Sequence, residues 1–108
     1  KWDNNNPLKF ILTKKNKIGD KNFDIISTNQ QLSVNEINDI LFKKNIQSII
    51  IEGGRNTLEN FIKSNCWDEA RLISSDKRLN GGIKSPMLDL KPSSSFYLKD
   101  DLIQIFFN

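Results

Sequence analysis

The fold of this chain is decided by the stretch Ile46-Gln47-Ser48-Ile49-Ile50-Ile51-Glu52-Gly53-Gly54-Arg55. Its near-continuous β-branched residues predict a strand covered on both faces, as the strands of parallel sheets are. The two glycines end that strand, and the residues after them predict a helix. Because open parallel sheets bind ligands beyond the carboxyl ends of their strands, the turn from Glu52 to Arg55 is the candidate binding site.

The glycine turn has the chemistry to hold an anion. Glycines let the backbone turn sharply and let a ligand approach without a Cβ in the way. The free N–H groups and the positive dipole end of the following helix point at the occupant. Arg55 adds a cation, and Asn56 and Thr57 add side-chain donors, which together suit a diphosphate. The same residues fit a tight turn without a ligand equally well, because neither a dinucleotide-binding fingerprint nor a P-loop is present.

Two helices are predicted, one before and one after this turn. The first begins at the capping box Ser33-Val34-Asn35-Glu36 and stops at Asn45. Its apolar positions recur at helical spacing, namely Val34, Ile37, Ile40 and Leu41. The second helix is predicted with Asn56 as its N-cap and Glu59 three residues on. Its apolar stripe consists of Leu58, Phe61, Ile62 and Cys66.

Short apolar runs predict the other strands, at residues 9–13, 23–27 and 67–74. Two further runs, 96–99 and 102–107, flank Asp100-Asp101 and predict an antiparallel hairpin. Two strand–helix–strand passages, about residues 23–52 and 47–74, imply right-handed crossovers and parallel strands. The predicted architecture is an α/β domain with a mixed sheet.

The composition excludes several kinds of site and partner. With 108 residues the chain is one small domain or a piece of a larger one. It has no histidine and one cysteine, Cys66, so no internal disulfide, Ser-His-Asp arrangement or metal site is predicted. No apolar run approaches the ~20 residues of a membrane-spanning helix. The lone cysteine and the lack of an export signal favour the cytoplasm.

Lysines are concentrated near the start of the chain, whose net charge is +3. They are Lys9, Lys14, Lys15, Lys17 and Lys21. We interpret them as a solvated loop that can also attract phosphate. The aromatic side chains that would make a platform for single-stranded nucleic acid are not interleaved with them, so no nucleic-acid partner is predicted.

The turn and its surroundings resemble the reductase domain of bifunctional riboflavin biosynthesis deaminase/reductase proteins. The strongest motif covers about Ile49 to Leu72 and combines a hydrophobic strand, Glu-Gly-Gly, a helix with a hydroxyl near its start, and a strand entered through Trp67-Asp68-Glu69. Leu79 to Ile83 with Pro86 resembles the glycine loop of that family. Trp2, Asn6-Pro7 and Phe10-Ile11-Leu12 resemble the segment after its substrate-binding region, so the resemblance spans essentially the whole chain.

The resemblance implies a fold and a reaction. The fold is that of the dihydrofolate-reductase-like superfamily, with a mixed, mainly parallel sheet flanked by helices and a C-terminal antiparallel hairpin. Residues 1–108 would be the C-terminal portion of a single NADPH-dependent reductase domain, lacking part of its active site. The reaction is the reduction of 5-amino-6-(5-phosphoribosylamino)uracil, with the ribosyl group becoming ribityl. Family members are expected to be homo-oligomers, and a zinc-dependent deaminase domain often lies upstream.

The resemblance also implies site residues, none of them a catalytic acid or base. Glu52 would contact the pyrimidine substrate. NADPH would be held by Gly53, Gly54, Arg55, Asn56, Thr57, Leu58, Glu59 and Asn60, with Lys14 as a further contact after the first strand. Thr13 departs from the aspartate that is common in the family, which leaves the contact at Lys14 open. Two alternatives stay open: another NADPH reductase on the same fold, and a non-catalytic assembly module with an empty turn.

Overall fold

Residues 7–13, 24–27 and 31–108 are described by a computed structural model of the chain. The chain divides into two compact units, with the boundary between Lys43 and Lys44. Several residues used in the sequence predictions lie outside the described residues, namely Trp2, Asn6, Lys14, Lys15, Lys17, Lys21 and Phe23.

The first unit contains a parallel strand pair and a helix. Strands β1 (Phe10–Thr13) and β2 (Asp24–Ser27) pair in parallel, with Phe10 opposite Asp24 and Thr13 opposite Ser27. The two strands predicted at 9–13 and 23–27 are therefore confirmed. The backbone N–H of Asp24 donates to the carbonyl of Lys9 at 2.8 Å and starts the ladder.

Helix α1 (Val34–Lys43) begins at the predicted capping box. The Ser33 N–H and hydroxyl both donate to Glu36 Oε2 at 2.7 Å, and the Glu36 N–H donates back to Ser33 Oγ at 3.3 Å. These bonds satisfy backbone donors that a helix start leaves without partners. The two hydrogen bonds that Ser33 donates lower the pKa of the Glu36 carboxyl, and the bond from the backbone N–H has the larger effect. Val34, Ile37 and Leu41 form its buried stripe, and Asn45 follows the helix with φ of 59°, as the predicted stop.

The second unit contains a helix and an antiparallel sheet. Its elements are α2 (Arg55–Lys63), β3 (Glu69–Ser74), β4 (Ser94–Leu98) and β5 (Asp101–Phe107). The sheet order is β3-β5-β4, and both pairs are antiparallel. Residues 75–93, which include the predicted glycine loop, contain no helix or strand. The buried side chains of this unit are Phe61, Ile103 and Phe106.

The hairpin prediction is confirmed, with its turn one residue earlier than expected. Leu98 pairs with Asp101, so the two-residue loop is Lys99-Asp100 and not Asp100-Asp101. Lys99 has φ of 55°, as the first position of a tight hairpin loop requires. Asp101 is thereby the first residue of β5.

The strand predicted at residues 46–51 is wrong, and so are the two parallel strand–helix–strand passages built on it, at about residues 23–52 and 47–74. These residues form no strand, and Ile50 is 90% exposed. Within the described residues, the one sheet neighbour of β3 is β5, which runs antiparallel to it. A strand needs a neighbour that accepts its backbone hydrogen bonds, and β-branched side chains alone do not supply one. The chain is thus a mixture of helices and strands with one parallel pair and one antiparallel sheet among its described strands, and the dihydrofolate-reductase-like arrangement stays a prediction.

The capping box gives a direct test of how α1 is stabilised. Replacing Ser33 with Ala removes the hydroxyl that receives the Glu36 N–H, and we expect the free energy of unfolding to fall by about 1 kcal/mol. Urea denaturation followed by circular dichroism measures this change. Ser48→Ala, at an exposed serine outside both helices, should leave the midpoint unchanged. Equal midpoints for the two variants would show that the box does not stabilise the helix.

Candidate functional site

The helix that follows the glycine turn starts earlier than predicted. Helix α2 begins at Arg55, and its N-cap is Gly54, with φ of −69°, ψ of 165° and no side-chain cap hydrogen bond. The prediction of Asn56 as N-cap, with Glu59 in support, is therefore wrong. Glycine in this extended conformation serves as an N-cap itself, because its carbonyl already accepts helix hydrogen bonds. Asn56 is instead an exposed residue of the first turn.

The start of α2 presents donors that the helix does not use. The N–H groups of Thr57 and Leu58 donate to the Gly54 carbonyl at 3.0 and 3.3 Å. Those of Arg55 and Asn56 lie in the first turn, where a helix has no acceptor to offer. The first turn also contains no acidic residue. The positive end of the helix dipole is therefore left without a carboxylate from its own first turn, as an anion site requires.

The two glycines play different parts in this turn. Neither needs a positive φ, which among the described glycines occurs at Gly82 alone. A Cβ on Gly53 would lie 3.3 Å from Thr57 Cβ, whereas a Cβ on Gly54 would meet nothing within 4 Å. Gly53 thus lets the turn pack closely on α2, and Gly54 leaves open space in front of the helix start.

Arg55 is held along the helix by an ion pair. Its Nε donates to Glu59 Oε1 at 2.5 Å, and Lys63 Nζ lies 3.4 Å from Glu59 Oε2. The hydrogen bond from Arg55 is the main cause of the lowered pKa of Glu59. Glu59, predicted as a cofactor contact, is engaged by these two cations. The sequence prediction missed Lys63, although the spacing of four residues between Arg55, Glu59 and Lys63 is the signal that finds it.

The other predicted site residues lie at or near the turn. Glu52 is exposed immediately before the glycines, Thr57 and Leu58 are half-buried in the first turns of α2, and Asn60 is exposed. The Asn60 carbonyl accepts the N–H of Ser64 where the helix ends. The predicted contact at Lys14 lies outside the described residues.

Comparisons with protein-family models, curated proteins and solved structures found no match. The resemblance to riboflavin-pathway reductases therefore stays a prediction. In the described part of the chain, no cluster of three or more His, Cys, Asp or Glu side chains could hold a metal ion. Across those same residues, no helix has the length and apolar character needed to cross a membrane.

The different surroundings of the two glycines predict different effects of the same substitution. Gly53→Ala places a Cβ against Thr57 Cβ, an atom fixed by the helix backbone that no side-chain rotation can move. We expect a loss of about 1 kcal/mol in the free energy of unfolding. Gly54→Ala places its Cβ in open space, at a φ that alanine can adopt. The free energy of unfolding should change little, because alanine lowers the entropy of the unfolded chain and this gain offsets its weaker capping of the helix. Thermal denaturation of both variants compares them, and equal losses would contradict the close approach at Gly53.

The lowered pKa of Glu59 predicts a pH dependence of stability. Because the folded-state pKa lies below its ordinary value, the carboxylate stabilises the fold above that ordinary value. This stabilisation is lost as the pH falls through the lowered folded-state pKa. Glu59→Gln should remove the share of the stability loss in acid that comes from Glu59. The share that comes from Glu36 should remain.

The measurement is urea denaturation of wild type and Glu59→Gln from neutral pH into the acid range. Arg55→Gln removes the main cause of the lowered pKa and should flatten the curve similarly. If the difference between wild type and Glu59→Gln does not change with pH, the ion pair makes no contribution in solution.

Proposed function

We propose that this chain is the cofactor-binding portion of an NADPH-dependent reductase that reduces 5-amino-6-(5-phosphoribosylamino)uracil in riboflavin biosynthesis. The observation that carries the proposal is the start of α2, which follows two glycines, has no side-chain cap and contains no acidic residue in its first turn. The resemblance of Ile49 to Leu72 to the reductase domain gives the substrate class. The full dihydrofolate-reductase-like fold is part of the same proposal.

The donors at the turn suit the diphosphate of a dinucleotide. The N–H groups of Arg55 and Asn56 supply hydrogen bonds, the helix dipole supplies positive potential, and Gly54 leaves room for the phosphates. Bound NADPH supplies the hydride. The protein supplies alignment and charge matching, which need no acid or base from these residues.

Glu52 is the residue we propose to face the substrate. It is exposed and directly precedes the glycines, so it lies beside the position proposed for the diphosphate. A carboxylate there can accept a hydrogen bond from a ribose hydroxyl or a ring N–H of the pyrimidine. In this proposal its role is to orient the substrate.

The preference for NADPH over NADH depends on a cation that reaches the additional phosphate of the cofactor. Arg55 already pairs with Glu59, which neutralises part of its charge. We assign the preference to the lysines near the start of the chain, with Lys14 as the proposed contact. In the same proposal the protein is a cytoplasmic homo-oligomer, with a deaminase domain as a possible upstream neighbour and no nucleic-acid or membrane partner.

A charge placed at Gly54 separates a phosphate site from an empty turn. Gly54→Asp adds a carboxylate that caps α2, so the free helix should be stabilised by a few tenths of a kcal/mol. The same carboxylate repels phosphate, and we expect NADPH affinity to fall at least tenfold, the equivalent of about 1.4 kcal/mol. A Gly54→Asp variant that is more stable than the wild type but binds NADPH more weakly would identify the turn as the anion site.

The measurement is a fluorescence titration with NADPH and NADH, using the intact protein that contains this chain. Gly54→Asn has the same size and capping ability without the charge, and it should retain more affinity than Gly54→Asp. Gly81→Asp makes the same change at another glycine with open space around it, and it should bind NADPH like the wild type. Binding that is absent, equal for the two cofactors, or unaffected by Gly54→Asp would overturn the proposal.

The substrate is tested separately by turnover. We expect the intact protein to oxidise NADPH with the aminouracil ribotide and not with dihydrofolate. If the protein oxidises NADPH with dihydrofolate and not with the ribotide, the proposed cofactor site stands and the proposed substrate class is wrong.

A further inference from the structure

The loop between β3 and β4 contains Asn80-Gly81, the one place in the chain where glycine follows asparagine. The pair lies in a bend in which Asn80, Gly81 and Gly82 are all exposed, and residues 75–93 contain no helix or strand. The side-chain carbonyl carbon of an asparagine and the backbone nitrogen of the next residue can close a five-membered ring. The loop therefore presents a pair of groups that can react with each other.

The attacking group of this pair, the Gly81 nitrogen, is accessible. Neither the Gly81 N–H nor the Asn80 side chain has a hydrogen-bond partner among the described residues. A Cβ on Gly81 would meet nothing within 4 Å, so the space around the bend can hold the ring. Gly81 also has no Cβ of its own to hinder the approach of its nitrogen to the Asn80 amide.

Two asparagines near the ends of α2 show the contrast. The N–H groups of Thr57 and Cys66, which follow Asn56 and Asn65, donate to backbone carbonyls at 3.0 and 3.2 Å. A nitrogen whose proton is held in this way attacks more slowly, because the hydrogen bond must break first. Both asparagines are also followed by a residue with a side chain, which crowds the nitrogen. Sequence and structure therefore single out Asn80.

We propose that Asn80 deamidates spontaneously and is a site of isoaspartate formation. Hydroxide removes the Gly81 N–H proton, and the nitrogen attacks Asn80 Cγ. The N–Cγ bond forms, the Cγ–Nδ2 bond breaks, and the amide nitrogen leaves as ammonia with a proton from water. Water then opens the succinimide at either carbonyl, which gives aspartate or isoaspartate. The net reaction consumes one water and releases one ammonia, with no oxidation or reduction.

The charges around the bend favour this reaction. Three cations, Lys77, Arg78 and Lys84, and one carboxylate, Asp76, lie within four residues of Asn80. Net positive charge stabilises the deprotonated nitrogen and the anionic intermediate that follows it. The product places a new carboxylate among the same cations, and isoaspartate also lengthens the backbone by one carbon. The modification thus changes both the charge and the chain path of the loop.

Mass spectrometry of tryptic residues 79–84 follows the reaction, because cleavage after Arg78 and Lys84 isolates position 80. The intact protein that contains this chain is incubated in heavy-oxygen water and digested in ordinary water, so the label marks deamidation that precedes digestion. We expect the labelled fraction at Asn80 to rise with time, faster at about pH 8 than at about pH 6, since attack needs the deprotonated nitrogen. An isoaspartyl carboxyl methyltransferase should methylate the aged protein and not the fresh protein.

Gly81→Ala tests the role of the following glycine. Its Cβ enters open space, so the variant should fold like the wild type, but the methyl group crowds the attacking nitrogen. We expect deamidation at Asn80 to slow at least about tenfold. Ser85→Ala, at an exposed serine of the same loop, is the matched control and should deamidate like the wild type. Asn80→Gln should abolish the methylation, because glutamine would have to close a larger ring.

Unfolding tests the part of the inference that rests on the structure. Because the bend leaves Asn80 open, its rate in the folded protein should lie within about threefold of its rate in guanidinium, whereas Asn56 and Asn65 should react faster once unfolded. A larger acceleration at Asn80 on unfolding, no deamidation in the folded protein, or a Gly81→Ala variant that reacts like the wild type would overturn the proposal. The measurement does not involve NADPH, so its outcome is independent of the proposed function.

Discussion

The central position of β5 in its sheet is the constraint on which the second unit depends. Its seven residues pair with β3 on one side and β4 on the other, so its backbone N–H and C=O groups find partners at both edges. The tight loop at Lys99-Asp100 fixes the register with β4, and that register decides which side chains share a face. At the other end, the Asn108 N–H donates to the Asp68 carbonyl and its side chain to those of Asn65 and Trp67. The segment after α2 is thereby tied to the end of the sheet.

The candidate site depends on a different constraint, the unfilled hydrogen-bonding capacity of a helix start. Helix α1 shows the usual solution, in which Ser33 and Glu36 satisfy the free donors. Helix α2 has no such pair, since Gly54 provides no side chain and no acid lies in the first turn. The two helices in the described part of the chain therefore differ in whether their own residues satisfy the donors at the N-terminus. Of these two helices, α2 is the one whose N-terminus lacks a side-chain cap and follows a glycine turn.

How much the sequence could predict depended on the range of the interactions involved. The capping box, the stop at Asn45 and the C-terminal hairpin were predicted because each depends on residues within a few positions of one another. The strand at residues 46–51 failed because pairing needs a partner distant in sequence, and three isoleucines carry no information about that partner. The N-cap at Asn56 failed for a local reason: Gly54, in an extended conformation, starts the helix before a polar side chain is needed.

The Arg55–Glu59 pair bears on whether the turn holds an anion or is empty. Arg55 lies in the first turn of α2, where a cation is repelled by the positive end of the helix dipole. Glu59 offsets part of that repulsion from one turn further on, at 2.5 Å from Arg55 Nε. An anion in front of Gly54 would face the positive end of the dipole, whereas the Arg55 guanidinium is held further along the helix by Glu59. Binding there would also stabilise the helix, by the linkage between a ligand and the folded state it selects.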